Sequence, residues 1–183
     1  MKPDGWDLVL DVGQACDALG IRVILYPGVV TPRGDLGEFD PGKKHLMVAA
    51  QHPDWLYVLA HEAGHMEQWV TNHPTWYPGR DDFGTLDLWL RHKKEYDGRE
   101  FIHAIRRIQK CEHYAEKYAM KQLRRIRHPD IGRLNQVANF GLWRFEHLRQ
   151  TRTWLDQTPE RVAAMPKRLI SVSRMARLPD GWF

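Results

Sequence analysis

Trp55-Leu56-Tyr57-Val58-Leu59-Ala60-His61-Glu62-Ala63-Gly64-His65-Met66-Glu67-Gln68-Trp69-Val70 is the stretch whose reading decides the rest of the chain. It has the length of a helix, and Pro53 stands where a first helical turn accepts proline. On a helix His61 and His65 fall at i and i+4, so both imidazoles leave one face, a turn apart, and can share a metal ion. Glu62 is turned away by one residue, which suits a carboxylate that takes a proton from water better than it suits a ligand. Burying two histidines and a glutamate in an apolar helix without partners would be costly. Zinc that activates water takes three protein ligands and keeps a fourth position open, and His-Glu-x-x-His supplies two. The chain is expected to supply a third.

The search for that ligand leads to residues 99–127, the most regular pattern in the protein. Phe101, Ile105, Ile108, Ala115, Ala119 and Ile126 fall on one helical stripe, and position 112 on the same stripe is glutamate. A lone carboxylate in an apolar stripe should be paired, protonated or bound to a metal. Glu112 is therefore the leading candidate, with a salt bridge to one of the many arginines as the plainer alternative. Glu116, one turn on, is the second choice of ligand, and His73 stands as a further one. His113 points about a quarter-turn away from the stripe.

Ahead of the His-Glu-x-x-His helix, Trp6, Val9, Val12, Cys16 and Leu19 recur at helical steps, giving a helix from about Asp4 that Gly20 stops. The β-branched run Ile21 to Tyr26, ended by Pro27-Gly28, reads as a strand. Gly34 to Phe39 and His45 to Ala50 flank Asp40-Pro41-Gly42-Lys43-Lys44 as a hairpin would. About three strands are thus expected before the metal helix.

Residues Asn72 to Gly84, rich in proline, glycine and aromatics without periodicity, read as a loop beside the metal helix, and Leu86 to Arg91 as a short helix. Pro129 ends the long helix, and Ile131, Leu134, Val137, Ala138, Leu142, Phe145 and Leu148 mark another. Thr158-Pro159-Glu160 reads as a helix cap, with closure at Pro166. Leu169 to Phe183 forms a basic tail.

A chain of 183 residues with 43% hydrophobic residues and eight tryptophans is long and apolar enough for a packed core, which excludes disorder. Its apolar runs fall far short of a bilayer span, so no membrane association is expected. Neither a signal-peptide profile nor a disulfide framework is visible, with Cys16 and Cys111 the only cysteines, and a cytoplasmic location is the expectation. The net charge of +4 conceals a division. Residues 1–90 carry 6 Lys and Arg against 13 Asp and Glu, whereas residues 91–183 carry 21 against 10. The basic second half, densest at Arg124-Arg125-Ile126-Arg127-His128, could attract nucleic acid or an acidic protein, or be a solvated helix face.

The order helix, small sheet, His-Glu-Ala-Gly-His helix, then Glu112-His113-Tyr114-Ala115-Glu116-Lys117-Tyr118-Ala119-Met120-Lys121-Gln122-Leu123 resembles the ImmA/IrrE family of zinc metallopeptidases. That family pairs the first motif with a later Glu-x-x-Ala-x-x-Phe-Ala-x-x-x-Leu; Glu112, Ala115, Ala119 and Leu123 match, and Tyr118 replaces the phenylalanine. The resemblance implies a Zn2+ cofactor on His61, His65 and Glu112, with Glu62 as catalytic base, and a target that is a regulatory or DNA-binding protein. Its 46 residues between His65 and Glu112 exceed the family's spacing. The expected fold is α+β: a mainly helical zincin-like domain at 1–128 with the small sheet, and a basic helical C-terminal extension at 129–183 packed on it.

The function expected is zinc-dependent hydrolysis of a peptide bond in a protein substrate. The oxyanion of that reaction needs a donor besides the metal, for which Tyr77, His113 and His147 are candidates. Two alternatives stand beside it: a SprT-like DNA-associated protease using His73, and a non-catalytic zinc-stabilised module that binds nucleic acid or protein.

Overall fold

The computed structural model describes residues 5–76, 82–93, 95 and 98–178. Among them the chain is α+β, with seven helices and one mixed three-stranded sheet. It divides into two compact units, Met1–Trp76 with Tyr114–Ile131, and Tyr77–His113 with Gly132–Phe183. The expected ranges of 1–128 and 129–183 differ from this division in residues 77–113, which group with the C-terminal part, and in 129–131, which group with the first unit.

In the first unit, α1 (Gly5–Ala18) ends at Gly20, whose φ of +66° suits glycine, as the Ile21 N–H bonds back to the Cys16 carbonyl at 2.9 Å. Its buried side is Leu8, Val12 and Cys16. Of the stripe expected from Trp6 to Leu19, Val12 and Cys16 are buried as expected, but Trp6 is 65% exposed and Leu19 36%. Trp6 meets the edge of Trp55, with ring centroids 6.5 Å apart.

Strands β1 (Arg22–Tyr26), β2 (Gly37–Asp40) and β3 (His45–Ala49) follow as expected, the last two forming the hairpin. β3 is central, parallel to β1 and antiparallel to β2, so β2 is an edge. Register puts Gly37 opposite Val48 and Phe39 opposite Leu46, and this face lies against α2 (Trp55–Val70). The contact is close: a Cβ on Gly37 would stand 2.6 Å from Val58 Cγ1 and 2.9 Å from Glu62 Oε1. Pro53 sits just ahead of the α2 cap residue Asp54 rather than within the first turn. The far end of α2 closes through Asn72 at φ +51°, with the His73 N–H bonded to the Gln68 carbonyl at 2.9 Å.

Helix α3 (Asp82–Leu90) is followed by the 28-residue α4 (Gly98–Arg125). The apolar stripe of α4 is in phase with the sequence pattern: Phe101, Ile105, Ile108, Ala115, Ala119 and, just beyond the helix, Ile126 are all buried. Arg124 and Arg125 occupy its last turn, where cations favour the helix dipole, and Arg125 also pairs with Asp11. Arg127 at φ +56° and then Pro129 end the helix.

The second unit is built on α5 (Ile131–Thr151), with α6 (Pro159–Ala164) and α7 (Val172–Met175). Leu86, Phe101, Ile105, Ile108 and Leu148 form one buried cluster, and Phe140, Leu142, Trp143, Val162, Met165, Ile170 and Met175 another. Thr158 caps α6 as expected, accepting from the Arg161 N–H at 3.4 Å. The segment after α6 is held by amides of α5. Asn139 Nδ2 donates to the carbonyls of Pro166 and Arg168, both at 2.8 Å, and its Oδ1 accepts from the Ile170 N–H at 3.1 Å. Gln136 Nε2 likewise donates to Ala163 and Met165 at 2.8 Å. These bonds supply partners to backbone that no helix or strand satisfies.

Candidate metal centre

On α2 the rings of His61 and His65 are 4.8 Å apart at 81°, and their Nε2 atoms approach to 3.1 Å. One ligand atom from each of His61, His65 and Glu112 lies within 4.8 Å of the others. Zinc bonds of 2.0–2.1 Å in a tetrahedron place ligand atoms roughly 3.3 Å apart, so small rotations bring this set to binding distance. Glu112 arrives there because α4 crosses α2 closely just beyond it. A Cβ on Gly64 would stand 2.8 Å from the Ala115 Cα and 3.1 Å from the Ala115 carbonyl oxygen, so the motif's glycine is what lets the two backbones meet.

The ring nitrogens that do not face one another are both engaged. His65 Nδ1 is 2.9 Å from Gln68 Oε1, and Gln68 Nε2 in turn donates to Thr75 Oγ1 at 2.7 Å. His61 Nδ1 is 3.2 Å from Glu116 Oε1, so a carboxylate oxygen faces the ring nitrogen turned away from His65. The same Glu116 oxygen accepts from the Tyr57 hydroxyl at 2.7 Å. Carboxylate and amide oxygens on the outer nitrogens fix ring orientation and leave each Nε2 as the metal-facing donor. This donor set fits zinc, and the outer contacts are what a histidine ligand ordinarily carries.

Sequence reasoning picked out the three residues that meet here but not the side chains behind them. Tyr57 and Gln68 were passed over, although Tyr57 lies four residues before His61 and Gln68 three after His65, positions that share a helix face with each. Glu116, considered as a ligand, stands instead behind His61. His73, the other alternative, has Nδ1 2.8 Å from Thr75 Oγ1 and its ring against Tyr114 at 4.1 Å; it does not join the ligand group.

Glu62 is 8% exposed, with its carboxylate against Gly37 of the edge strand. Trp76, from the loop expected to form a wall, lies 6.3 Å from the His65 ring and 6.1 Å from Phe39, so it packs the loop onto the sheet beside the centre. Of the oxyanion candidates, Tyr77 lies outside the described residues. His113 is half-buried next to Glu112, and His147 rests on Trp143 at 5.6 Å in the second unit.

A second group, Glu38, Asp40 and His45, also brings its ligand atoms within 4.8 Å. Here the cation is already part of the chain. Lys43 Nζ is 2.8 Å from Asp40 and 3.6 Å from Glu38, and Arg33 adds a contact to Glu38. Hydrogen bonds from Lys43, first from its side chain and then its backbone, hold the Asp40 carboxyl below its ordinary range.

No family model, no curated protein and no solved structure matches this chain. Among the described residues no helix is long and apolar enough to cross a membrane.

Proposed function

We propose that this protein is a zinc-dependent peptidase of the ImmA/IrrE type, hydrolysing a peptide bond in a protein target such as a regulatory or DNA-binding protein. The observation that carries the reading is the convergence of Glu112, separated from His65 by 46 residues of sequence, on the two histidines of an intact His-Glu-x-x-His. A bound zinc ion would polarise water and bring its pKa toward about 7. Glu62 takes the proton as that water attacks the carbonyl and passes it to the leaving amine. Glu116 and Gln68 hold the histidine rings in place, and Tyr57 holds Glu116. The edge strand β2, with Glu62 against Gly37, offers an extended peptide a row of backbone partners beside the base. A site kept for stability alone has no use for Glu62, which favours catalysis over the non-catalytic module. The SprT-like alternative depends on His73, and the Thr75 and Tyr114 contacts give that residue another role.

Elemental analysis of folded wild type and Glu112→Ala, with hydrolysis of labelled casein by wild type and Glu62→Gln, tests the reading. About one zinc per wild-type chain, much weakened by Glu112→Ala, and hydrolysis lost in Glu62→Gln with zinc retained are expected. Full zinc in Glu112→Ala, or undiminished cleavage by Glu62→Gln, would overturn the ligand or base assignment.

A further inference from the structure

A cleft of about 370 Å³ in the second unit draws three basic side chains together. Arg106 and Lys110 stand at i and i+4 on one side of α4, and Ser173 and Arg177 come from α7 and the turn that follows it. Among the described residues, no carboxylate lies within ion-pairing distance of Arg106, Lys110 or Arg177. The cleft does contain an acid, Glu146, but its Oε2 is 3.0 Å from Arg149 Nε, so that charge is already engaged. Three exposed cations thus converge without a counter-charge, an arrangement that like-charge repulsion disfavours and an anion relieves.

We infer that this cleft binds a small phosphorylated ligand, a phosphate or diphosphate ester. Guanidinium forks match phosphate oxygens, and the Ser173 hydroxyl adds a donor. The volume falls within the range of small-molecule sites, and Val172 and Ala176 give an organic portion apolar surface to lie on. The buried Glu146, whose charge Arg149 engages, can still accept from a hydroxyl or amino group of the ligand. The zinc reading is not needed for any of this, and metal-free protein would bind equally well.

Titration calorimetry on the full chain at low salt tests the assignment with pyrophosphate and ADP as probes, adenosine as the uncharged control and a single-stranded oligonucleotide as the polymer. Expected are one pyrophosphate or ADP per chain, no response to adenosine, and at least tenfold weaker binding in Arg106→Gln and Arg177→Gln. Arg124→Gln, outside the cleft, should bind as wild type does. Circular dichroism checks folding; should Arg106→Gln not fold, Arg177→Gln in the exposed turn carries the comparison. The inference is overturned by an absence of pyrophosphate and ADP binding, by equal weakening in Arg124→Gln, or by binding of the oligonucleotide alone.

Discussion

The Cα of Ala115 stands 2.8 Å from the place a Cβ on Gly64 would occupy. Backbone cannot yield as a flexible side chain can, so the glycine between the two motif histidines is a packing requirement of the crossing that delivers Glu112. Gly64→Ala should therefore separate α2 from α4, destabilising the fold by about 1–3 kcal/mol as overpacking does. Urea denaturation reads the loss. Zinc affinity should fall with it although no ligand has changed, and an unaltered midpoint with full zinc would show that the crossing is looser than described.

Glu112 and Glu116 lie one turn apart on α4 and are expected to fail differently. Glu112→Ala removes one of the three proposed ligands. Glu116→Gln leaves all three ligands and keeps an oxygen near His61 Nδ1 while removing the negative charge there, and should weaken zinc by about 10–100-fold, as changes to the outer partners of histidine ligands do. Competition against a chelator distinguishes the two, and equal losses would mean that Glu116 ligates directly.

Asn139 is fully buried, and its amide satisfies the Pro166 and Arg168 carbonyls and the Ile170 N–H. Asn139→Ala strands these groups at about 1–3 kcal/mol for each that water cannot reach. A loss of about 3 kcal/mol in urea is expected, with hydrogen exchange faster at Ile170. Unchanged exchange there would count against the anchoring role.

Cys16 has no exposed surface, and burial pushes its thiol up to about 11, whereas Cys111 is half-buried. Near pH 8 the Cys16 thiol is almost wholly protonated, because its pKa lies well above that pH, and the thiolate is the reactive form. Iodoacetamide should modify Cys111 in the native protein and Cys16 only in denaturant. Mass spectrometry of the alkylated peptides gives the order, and early labelling of Cys16 would contradict its burial.

Much of this was legible in the sequence because local periodicity and tertiary role agree along α2, the hairpin and α4; Glu112 was found because a carboxylate broke an apolar stripe. α1 failed that test for a physical reason. Its apolar residues offer two overlapping stripes, and packing against α2 and β1 selects the one with Leu8 over the one with Trp6. The partners of His61 and His65 were harder to read. Glu116 is an ordinary helix residue until α4 brings it to a histidine nitrogen, whereas Tyr57 and Gln68 share the α2 face of His61 and His65, a spacing that was there to be read. The grouping of residues 77–113 with the C-terminal part was hidden because α4 is a single uninterrupted helix across the change of unit.

The crossing of α2 over α4 at Gly64 and Ala115 also bears on descent. What phases Glu112 to the histidines is a contact between two helices, whatever length of chain connects them. Residues can be gained or lost between Asn72 and Gly98 without turning a ligand, whereas one residue inserted between Glu112 and Ala115 would swing the carboxylate about 100° around α4. Lineages sharing this centre are free to diverge in the span between the motifs, and are held in step across the four residues from Glu112 to Ala115 and the five from His61 to His65.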